Sequence, residues 1–241
     1  MRKSIAAAIL AASAATAGCG HARGEEAGPT VSRNYQVGNF QQVEVAGPYE
    51  VTVRTGGQPG VSARGPQNLL EKTTVEVKGD KLVIGPKERH GFHWGWGSHG
   101  HAEFTVTVPA INAATIAGSG DINVDHVRGD RFDGTVAGSG GLDVGTIEVG
   151  ALKLAIAGSG SAKAGAGKAQ SASYDIGGSG DIDAGAVQTQ QAKVSIAGSG
   201  SVKAHSSGTA DVSIMGSGDV ELTGGAKCTV SKAGSGDVRC S

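Results

Sequence analysis

The tetrapeptide Ala137-Gly138-Ser139-Gly140 decides how this chain is interpreted, because its Gly-Ser-Gly triplet returns throughout the second half of the sequence. The triplets begin at Gly118, Gly138, Gly158, Gly178, Gly198, Gly216 and Gly234. The spacing is therefore 20 residues four times and then 18 residues twice. A fixed period of this length is typical of a stacked array, in which each unit packs only on its neighbours.

Apolar residues flank each triplet at every second position, which is the period of a β-strand. Two residues before the first glycine stand Ile116, Val136, Ile156, Ile176, Ile196, Ile214 and Lys232. Four residues after it stand Ile122, Leu142, Ala162, Ile182, Val202, Val220 and Val238. Each repeat is predicted to hold two short strands with a corner at Gly-Ser-Gly, where glycine permits the backbone angles of a sharp turn.

The repeat length predicts an all-β fold, a right-handed parallel β-solenoid with rungs of about 20 residues. Val127, Ile147 and Val187 indicate a third short side, nine residues after the corner glycine. The alternative is an antiparallel meander in which Gly-Ser-Gly is a hairpin turn. A meander does not require the same residue types to recur in the same columns, so the solenoid is favoured.

Charged residues five positions after the corner glycine also favour stacking. From Asp143 onward the sign of the charge alternates at every repeat. The column consists of Asn123, Asp143, Lys163, Asp183, Lys203, Glu221 and Arg239. Opposite charges on adjacent strands attract, but each exposed pair contributes only about 0 to 1 kcal/mol. The column is therefore interpreted as a device that sets the register of the rungs.

The first 18 residues have the features of an export signal, with basic residues at Arg2 and Lys3, an apolar core and then small residues. The sequence Thr16-Ala17-Gly18-Cys19 resembles a bacterial lipobox, in which the cysteine is lipid-modified and becomes the first mature residue. Thr16 departs from the usual leucine, and cleavage by ordinary signal peptidase near Ala14 is the alternative. The resemblance implies a lipid anchor at Cys19, in the periplasm or outer membrane of a Gram-negative bacterium.

The rest of the chain is predicted to divide into three parts. Residues 19–34 form a flexible tether, residues 35–110 a less regular β region and residues 111–241 the regular solenoid. Alternating valines around Ala46-Gly47 make a degenerate copy of the repeat, so the solenoid is expected to begin near Phe40. The chain has 42 glycines and only 4% aromatic residues, which suits a thin solenoid interior better than a globular core.

The run from Val75 to Ile84, the sequence Val106-Thr107-Val108-Pro109 and the serial Gly-Ser-Gly-Asp motifs resemble the head GIN domain family over roughly residues 38–225. Members of that family are regarded as auto-transporter adhesin heads and otherwise have no known function. The resemblance implies a β-solenoid on an exported, often lipid-anchored bacterial protein. It brings no catalytic residues to this sequence.

The segment 88–102 concentrates the residue types that could bind a ligand. It contains His90, His93, Trp94, Trp96, His99 and His101. Imidazoles at such spacing can bind Zn²⁺ or Cu²⁺, and exposed tryptophans can stack on a sugar or lie in a bilayer interface. The alternative is a variable insertion between two strands with no ligand.

Two cysteines, Cys228 and Cys240, lie six residues on either side of the last corner, in columns that are predicted to point inward. An exported protein folds in an oxidising compartment. We expect the two cysteines to approach each other, and to pair if their Cα atoms lie within about 7 Å. The alternative is two buried, unpaired cysteines that act as small apolar residues.

These features predict a non-enzymatic module of the cell envelope that mediates adhesion or scaffolding. Its expected partners are the membrane, through the N-terminal lipid, and a surface protein or glycan. A periplasmic module that binds a ligand or metal through the His/Trp segment is the alternative, and a carbohydrate-active enzyme is the third possibility. The net charge of −1 and the lack of a basic stripe argue against nucleic acid as a partner. No cofactor is predicted, and the sequence leaves the oligomeric state open.

Overall fold

The computed structural model describes residues 28–87 and 101–241 of the chain. These residues form 18 strands and one short helix. The N-terminal elements are β1 (Thr30–Tyr35), β2 (Gln42–Ala46), β3 (Tyr49–Thr55), β4 (Gly60–Pro66), α1 (Gln67–Glu71), β5 (Thr73–Lys78), β6 (Lys81–Pro86), β7 (Ala102–Val108) and β8 (Ala113–Gly118). The repeats form β9 (Asp121–Gly138), β10 (Gly141–Gly158), β11 (Ser161–Gly178), β12 (Asp181–Ala184), β13 (Val187–Gly198), β14 (Ser201–His205), β15 (Thr209–Gly216), β16 (Asp219–Thr223), β17 (Lys227–Ala233) and β18 (Val238–Cys240).

The Gly-Ser-Gly repeats stack in parallel and in register, so the predicted β-solenoid is confirmed. Strand β10 pairs with β9 on one side and with β11 on the other, and each residue lies opposite the residue 20 positions away. Ile156, for example, lies between Val136 and Ile176. The antiparallel meander is therefore wrong for the repeats. The two 18-residue repeats keep the same columns, since Ile196 lies opposite Ile214.

Each rung has three sides, because the long strands bend twice between corners. In β9, residues 131–138 lead to the next corner and form side one. Residues 121–124 follow the preceding corner and form side two, and residues 126–129 form side three. The column predicted for side three is buried at Val127, Ile147 and Val187. Apolar residues from all three sides form one continuous core along the solenoid.

The corner glycines are required because successive rungs approach closely there. Gly158 has a φ of 131°, in the region that favours glycine. The N–H of Ser159 donates a hydrogen bond of 3.0 Å to the carbonyl of Gly138 in the preceding rung. A Cβ atom on Gly158 would overlap the same carbonyl oxygen. Backbone geometry therefore accounts for the repeated motif.

Neighbouring core positions compensate for one another in size. In the rung of β11, Ala162, Ala164 and Ala172 all point inward, and the large side chain of Tyr174 is fully buried in the same rung. At Gly134, large neighbours compensate for a small residue. The side chains of Leu142 and Leu154 in β10 fill the space that a side chain at position 134 would occupy. The core is thus continuous even where the columns contain small residues.

The first rungs follow a different order along the solenoid than along the chain. Strands β2 and β3 form a rung that stacks on β8 and β9, with Val45 opposite Ile116. Strands β6 and β7 form the preceding rung, on the other side of β2 and β3. The degenerate copy predicted around Ala46-Gly47 is therefore part of the solenoid.

Antiparallel strands close this end of the solenoid. Strand β5 forms an antiparallel hairpin with β6, while β4 pairs with β7 and β1 pairs with β4. Residues 30–34 of the predicted tether belong to β1, which corrects that boundary. Val31 explains the difference, because its side chain packs against the core, as does that of Tyr35 at the end of β1.

The last rung, formed by β17 and β18, differs from the others. A disulfide joins Cys228 to Cys240, with the Cα atoms 6.7 Å apart. The Lys232 ammonium donates a hydrogen bond of 2.6 Å to the carbonyl of Gly236 across the corner. Among the described residues, no strand pairs with the outer edge of β17 or β18. Val230 is consequently 46% exposed, although it occupies an inward column.

Candidate interaction surface

Most side chains that the sequence suggested as site residues lie outside the described part of the chain. They are Cys19, His90, His93, Trp94, Trp96 and His99. His101 is described, and it is exposed directly before β7. Within residues 28–87 and 101–241, no three His, Cys, Asp or Glu side chains lie close enough together to hold a metal ion. A metal site in the histidine-rich segment stays a prediction.

The strand ends that flank the histidine-rich segment lie on either side of the corner at Gly47. Strand β6 pairs with β2 up to Ile84, which lies opposite Val45, and β7 begins at Ala102, which lies opposite Tyr49. Gly85, near the end of β6, lies directly against Ala46, because a Cβ atom there would be 3.3 Å from the Ala46 Cβ. The sequence revealed the insertion but not this position, which depends on the order in which the first rungs stack.

The aspartates that follow the corners form hydrogen bonds to the next rung. Asp121 accepts a bond of 2.8 Å from the N–H of Gly141. Asp219 accepts one of 2.9 Å from the N–H of Asp237. Asp181 accepts a hydroxyl bond of 2.5 Å from the serine at the equivalent position one rung further on. These carboxylates therefore stabilise the stacking of rungs.

Side three carries an ion pair between adjacent rungs. The Arg128 guanidinium donates a hydrogen bond of 2.7 Å to the Glu148 carboxylate. This bond, together with the positive charge of Arg128, holds the pKa of Glu148 below its ordinary value. A general acid at neutral pH needs a raised carboxyl pKa, so Glu148 is not suited to that role.

Side one carries a shallow depression above the small alanines of its central rungs. Its floor includes Ala172 and Ala192, which are almost completely buried. Its polar rim includes Arg131, Lys153, Ser173, Lys193 and Asp211. A shallow, polar surface of this kind can form hydrogen bonds with a glycan or a protein, whereas small-ligand pockets are concave and mostly apolar. This group was not predicted from the sequence, although the outward column five residues before each corner contains most of it.

Side two displays the alternating charges in the predicted register. Asp143 lies opposite Lys163, which lies opposite Asp183, and the alternation continues to the last rung through Lys203, Glu221 and Arg239. All six side chains are exposed. The charge column is therefore both a register device and an open surface.

Comparison with known families identifies the family to which this solenoid belongs. A family model described as "Putative auto-transporter adhesin, head GIN domain" matches residues 39–226. The chain belongs to this family. The match begins before β2 and ends directly before β17, so the rung with the disulfide lies beyond the matched head GIN domain. No curated protein matches the chain.

Solved structures from several bacteria share the fold of this head GIN domain. A Bacteroides fragilis protein described as a "putative adhesin" is 22% identical, with a TM-score of 0.80 over 90% of this chain and 100% of its own. A Parabacteroides merdae "putative adhesin" is 18% identical, with a TM-score of 0.70 over 90% and 98% of the two chains. A Parabacteroides distasonis "putative lipid binding protein" is 22% identical, with a TM-score of 0.69 over 90% and 99%. At these identities the likeness shows the fold alone.

The described residues contain no helix that could cross a membrane. Helix α1 has five residues, whereas a membrane-spanning helix needs about 20.

Proposed function

We propose that the protein is an exported, lipid-anchored, non-enzymatic module that mediates adhesion or scaffolding in the cell envelope of a Gram-negative bacterium. Membership of the head GIN domain family carries this proposal, because the family description names an adhesin head. The fold supports it, since a solenoid with three exposed faces offers long polar surfaces to a partner. The polar rim of the side-one depression is the surface that we assign to a surface protein or glycan.

The described charges argue for binding rather than catalysis. The aspartates after the corners bond to the next rung, and Arg128 pairs with Glu148 on side three. The charges on side two alternate in sign along the rungs. Such arrangements stabilise rungs or present surfaces to a partner.

The anchor in this proposal is a lipid on Cys19. The residues before it have the features of an export signal. Several acyl chains on one cysteine hold a protein on a membrane far more firmly than a single chain. The modified protein would lie in the periplasm or on the outer membrane.

Fractionation of cells that express the full chain tests the proposal. Cys19→Ser should move the protein from the membrane fraction to the soluble fraction, and cells that carry it should lose adhesion to surfaces that wild-type cells bind. The double variant Cys228→Ser/Cys240→Ser is the matched control, because it removes two cysteines but leaves the anchor. A Cys19→Ser protein that remains in the membrane fraction, or a mature N-terminus near Ala15, contradicts the anchor.

A second candidate function is ligand or metal binding through the histidine-rich segment. Its supporting observation is His101, which is exposed directly before β7. Equilibrium titration with Zn²⁺ or Cu²⁺, on the full chain and on a chain without residues 88–100, tests it. Equal binding by the two proteins contradicts this second function.

A further inference from the structure

The charge column on side two is self-complementary when a second copy is turned end for end. It contains six charges that start with an acid and end with a base. In order along the solenoid they are Asp143, Lys163, Asp183, Lys203, Glu221 and Arg239. A two-fold axis along the strand direction, between the rungs of Asp183 and Lys203, reverses this order in the second copy. Every acid of one copy then faces a base of the other.

The three pairs follow directly from the reversal. Asp183 of each copy faces Lys203 of the other, Lys163 faces Glu221, and Asp143 faces Arg239. Opposite charges across an interface select the correct partner and register, while like charges reject the wrong ones. All six side chains are exposed, so none needs to leave a buried position to make these contacts.

The neighbouring outward column, two residues closer to the corner, obeys the same symmetry. Its members from the same six rungs are Gly141, Ser161, Asp181, Ser201, Asp219 and Asp237. The same axis brings Asp181 opposite Ser201, Asp219 opposite Ser161 and Asp237 opposite Gly141. No two carboxylates of this column face each other, although three of its six residues are acids. A second column thus fits the same axis independently of the first.

Two competing arrangements of the two copies place like charges together. With both rods pointing the same way, each residue faces its own counterpart, so Asp143 faces Asp143 and Lys163 faces Lys163. An antiparallel pair displaced by one rung brings Asp183 opposite itself. The alternation therefore excludes these competing alignments by repulsion.

We propose that side two binds a second copy of this chain, antiparallel, about an axis between the rungs of Asp183 and Lys203. Six rungs about 4.8 Å apart and four residues of about 3.3 Å give a contact of roughly 29 by 13 Å per copy. This area is about half of the roughly 800 Å² that each partner contributes to a standard interface. A single pair is therefore weak, and many copies on one surface are needed for firm contact.

The antiparallel arrangement suits contact between two surfaces, a step that rests on the proposed function. The two copies point in opposite directions, so their N-terminal ends, which carry the anchors, lie at opposite ends of the pair. Copies anchored on one membrane would then pair with copies on a facing membrane. The partner class is a second copy of the chain, and the contact is homophilic.

Charge exchange at the centre of the interface tests the pairing. Detergent-solubilised full-length protein is attached to beads of two colours, and clumping is counted at low salt. Wild-type beads should clump, whereas Asp183→Lys beads and Lys203→Asp beads should each clump at least about fivefold less, because like charges then face each other twice. Mixed beads of the two variants should clump as wild type does, since each new charge faces an opposite one. Clumping should fall as salt is raised, because exposed charges are screened.

Matched variants away from side two control for non-specific attraction. Lys168→Asp on side three and Asp130→Lys at the bend between sides three and one change exposed residues outside both proposed surfaces. They change the net charge by the same amounts, and both should clump as wild type does. A variant that is merely unfolded cannot be rescued by mixing, and thermal melting of each variant confirms its fold. The pairing is overturned if wild-type beads stay dispersed, if either side-two variant clumps normally, or if the folded variants fail to clump when mixed.

The proposed function and the pairing can fail separately. If Cys19→Ser leaves the membrane fraction unchanged, the anchor is wrong, but the beads still report the pairing. If the beads stay dispersed while Cys19→Ser releases the protein, only the pairing is wrong.

Discussion

At the scale of single residues, two buried tyrosines show how hydrogen bonding decides their contribution to stability. The Tyr49 hydroxyl accepts a bond of 3.1 Å from Thr73, and its ring packs edge-on against Phe104 with centroids 5.5 Å apart. The Tyr174 hydroxyl is buried with no hydrogen-bond partner among the described residues. A buried hydroxyl without a partner costs about 1–3 kcal/mol. Tyr174 is therefore retained for the volume of its ring.

Tyr174→Phe should raise the free energy of unfolding by about 1 kcal/mol, because it removes the unpartnered hydroxyl and keeps the ring. Tyr174→Ala should lower it by about 3–5 kcal/mol, because it leaves a cavity in a rung whose other inward residues are small. Denaturant unfolding followed by circular dichroism measures both changes.

Tyr49→Phe is the control for this prediction. It removes a hydroxyl that has a partner, so it should lower the free energy of unfolding by about 1 kcal/mol. Equal effects of the two Tyr→Phe substitutions would contradict the assignment of different roles to the two hydroxyls.

Burial also makes the stability depend on pH in the alkaline range. Burial raises the pKa of Tyr174 above its ordinary value of 10.0, so above pH 10 the unfolded chain releases this proton while the folded chain keeps it. The contribution of protonated Tyr174 to the free energy of unfolding is fully present below pH 10 and is lost as the pH rises above that value. Each pH unit above 10 should lower the free energy of unfolding by up to about 1.4 kcal/mol for this group. Between pH 10 and 12, the melting temperature of the wild type should therefore fall more steeply with pH than that of Tyr174→Phe.

At the scale of the elements, the corner is the feature that most strongly constrains sequence. Gly158→Ala should lower the free energy of unfolding by at least about 2 kcal/mol, because it combines an unfavourable φ with a backbone overlap. Gly38→Ala is the matched control, since a Cβ atom there meets nothing within 4 Å and its φ is unstrained. The control should be neutral or slightly stabilising. Similar losses in the two variants, measured by denaturant unfolding, would contradict the role of the corner.

The repeat elements were predictable from the sequence because stacking forces equivalent positions into contact. The inward column of Ile156 and Ile176, the corner glycines and the charge alternation all recur with the same period, and each is where the sequence predicted it. Strand β1 was not predicted, since its alternation at Val31 and Tyr35 is short and its partner β4 has no repeat signature. The order of the first rungs was not predictable either, because period alone does not state which rung stacks on which.

The candidate surfaces were predictable to different degrees for the same reason. The charges on side two follow the repeat period, so their register could be derived before the structure. The depression on side one could not, because it depends on the combined small size of Ala172 and Ala192 beneath a polar rim. Its outward residues also vary from rung to rung, and a column without a regular pattern gives no signal.

At the scale of the whole molecule, the two ends of the solenoid are closed by different means. Antiparallel strands cover the first rung, whereas the last described rung has an inward lysine and a disulfide. Exposed strand edges are templates for association, and natural proteins protect them with charged residues. Lys232 occupies the column that contains Ile or Val in the other regular repeats. Any strand stacked on β17 would bury its ammonium.

Lys232→Ile should therefore allow the exposed strand edge of the last described rung to associate with another copy of the chain. The substitution extends the apolar column and removes the charge whose burial would cost several kcal/mol, so full-length protein should associate end to end at concentrations where the wild type does not. Sedimentation velocity should show longer particles, and combining it with Asp183→Lys should not abolish them, because side two is not involved. Lys193→Ile is the matched control, since Lys193 is exposed on an outward column of side one, and it should leave the edge protected. If Lys232→Ile sediments as the wild type does, the charge of Lys232 is not what protects the edge, and the disulfide between Cys228 and Cys240 becomes the structural feature to alter next.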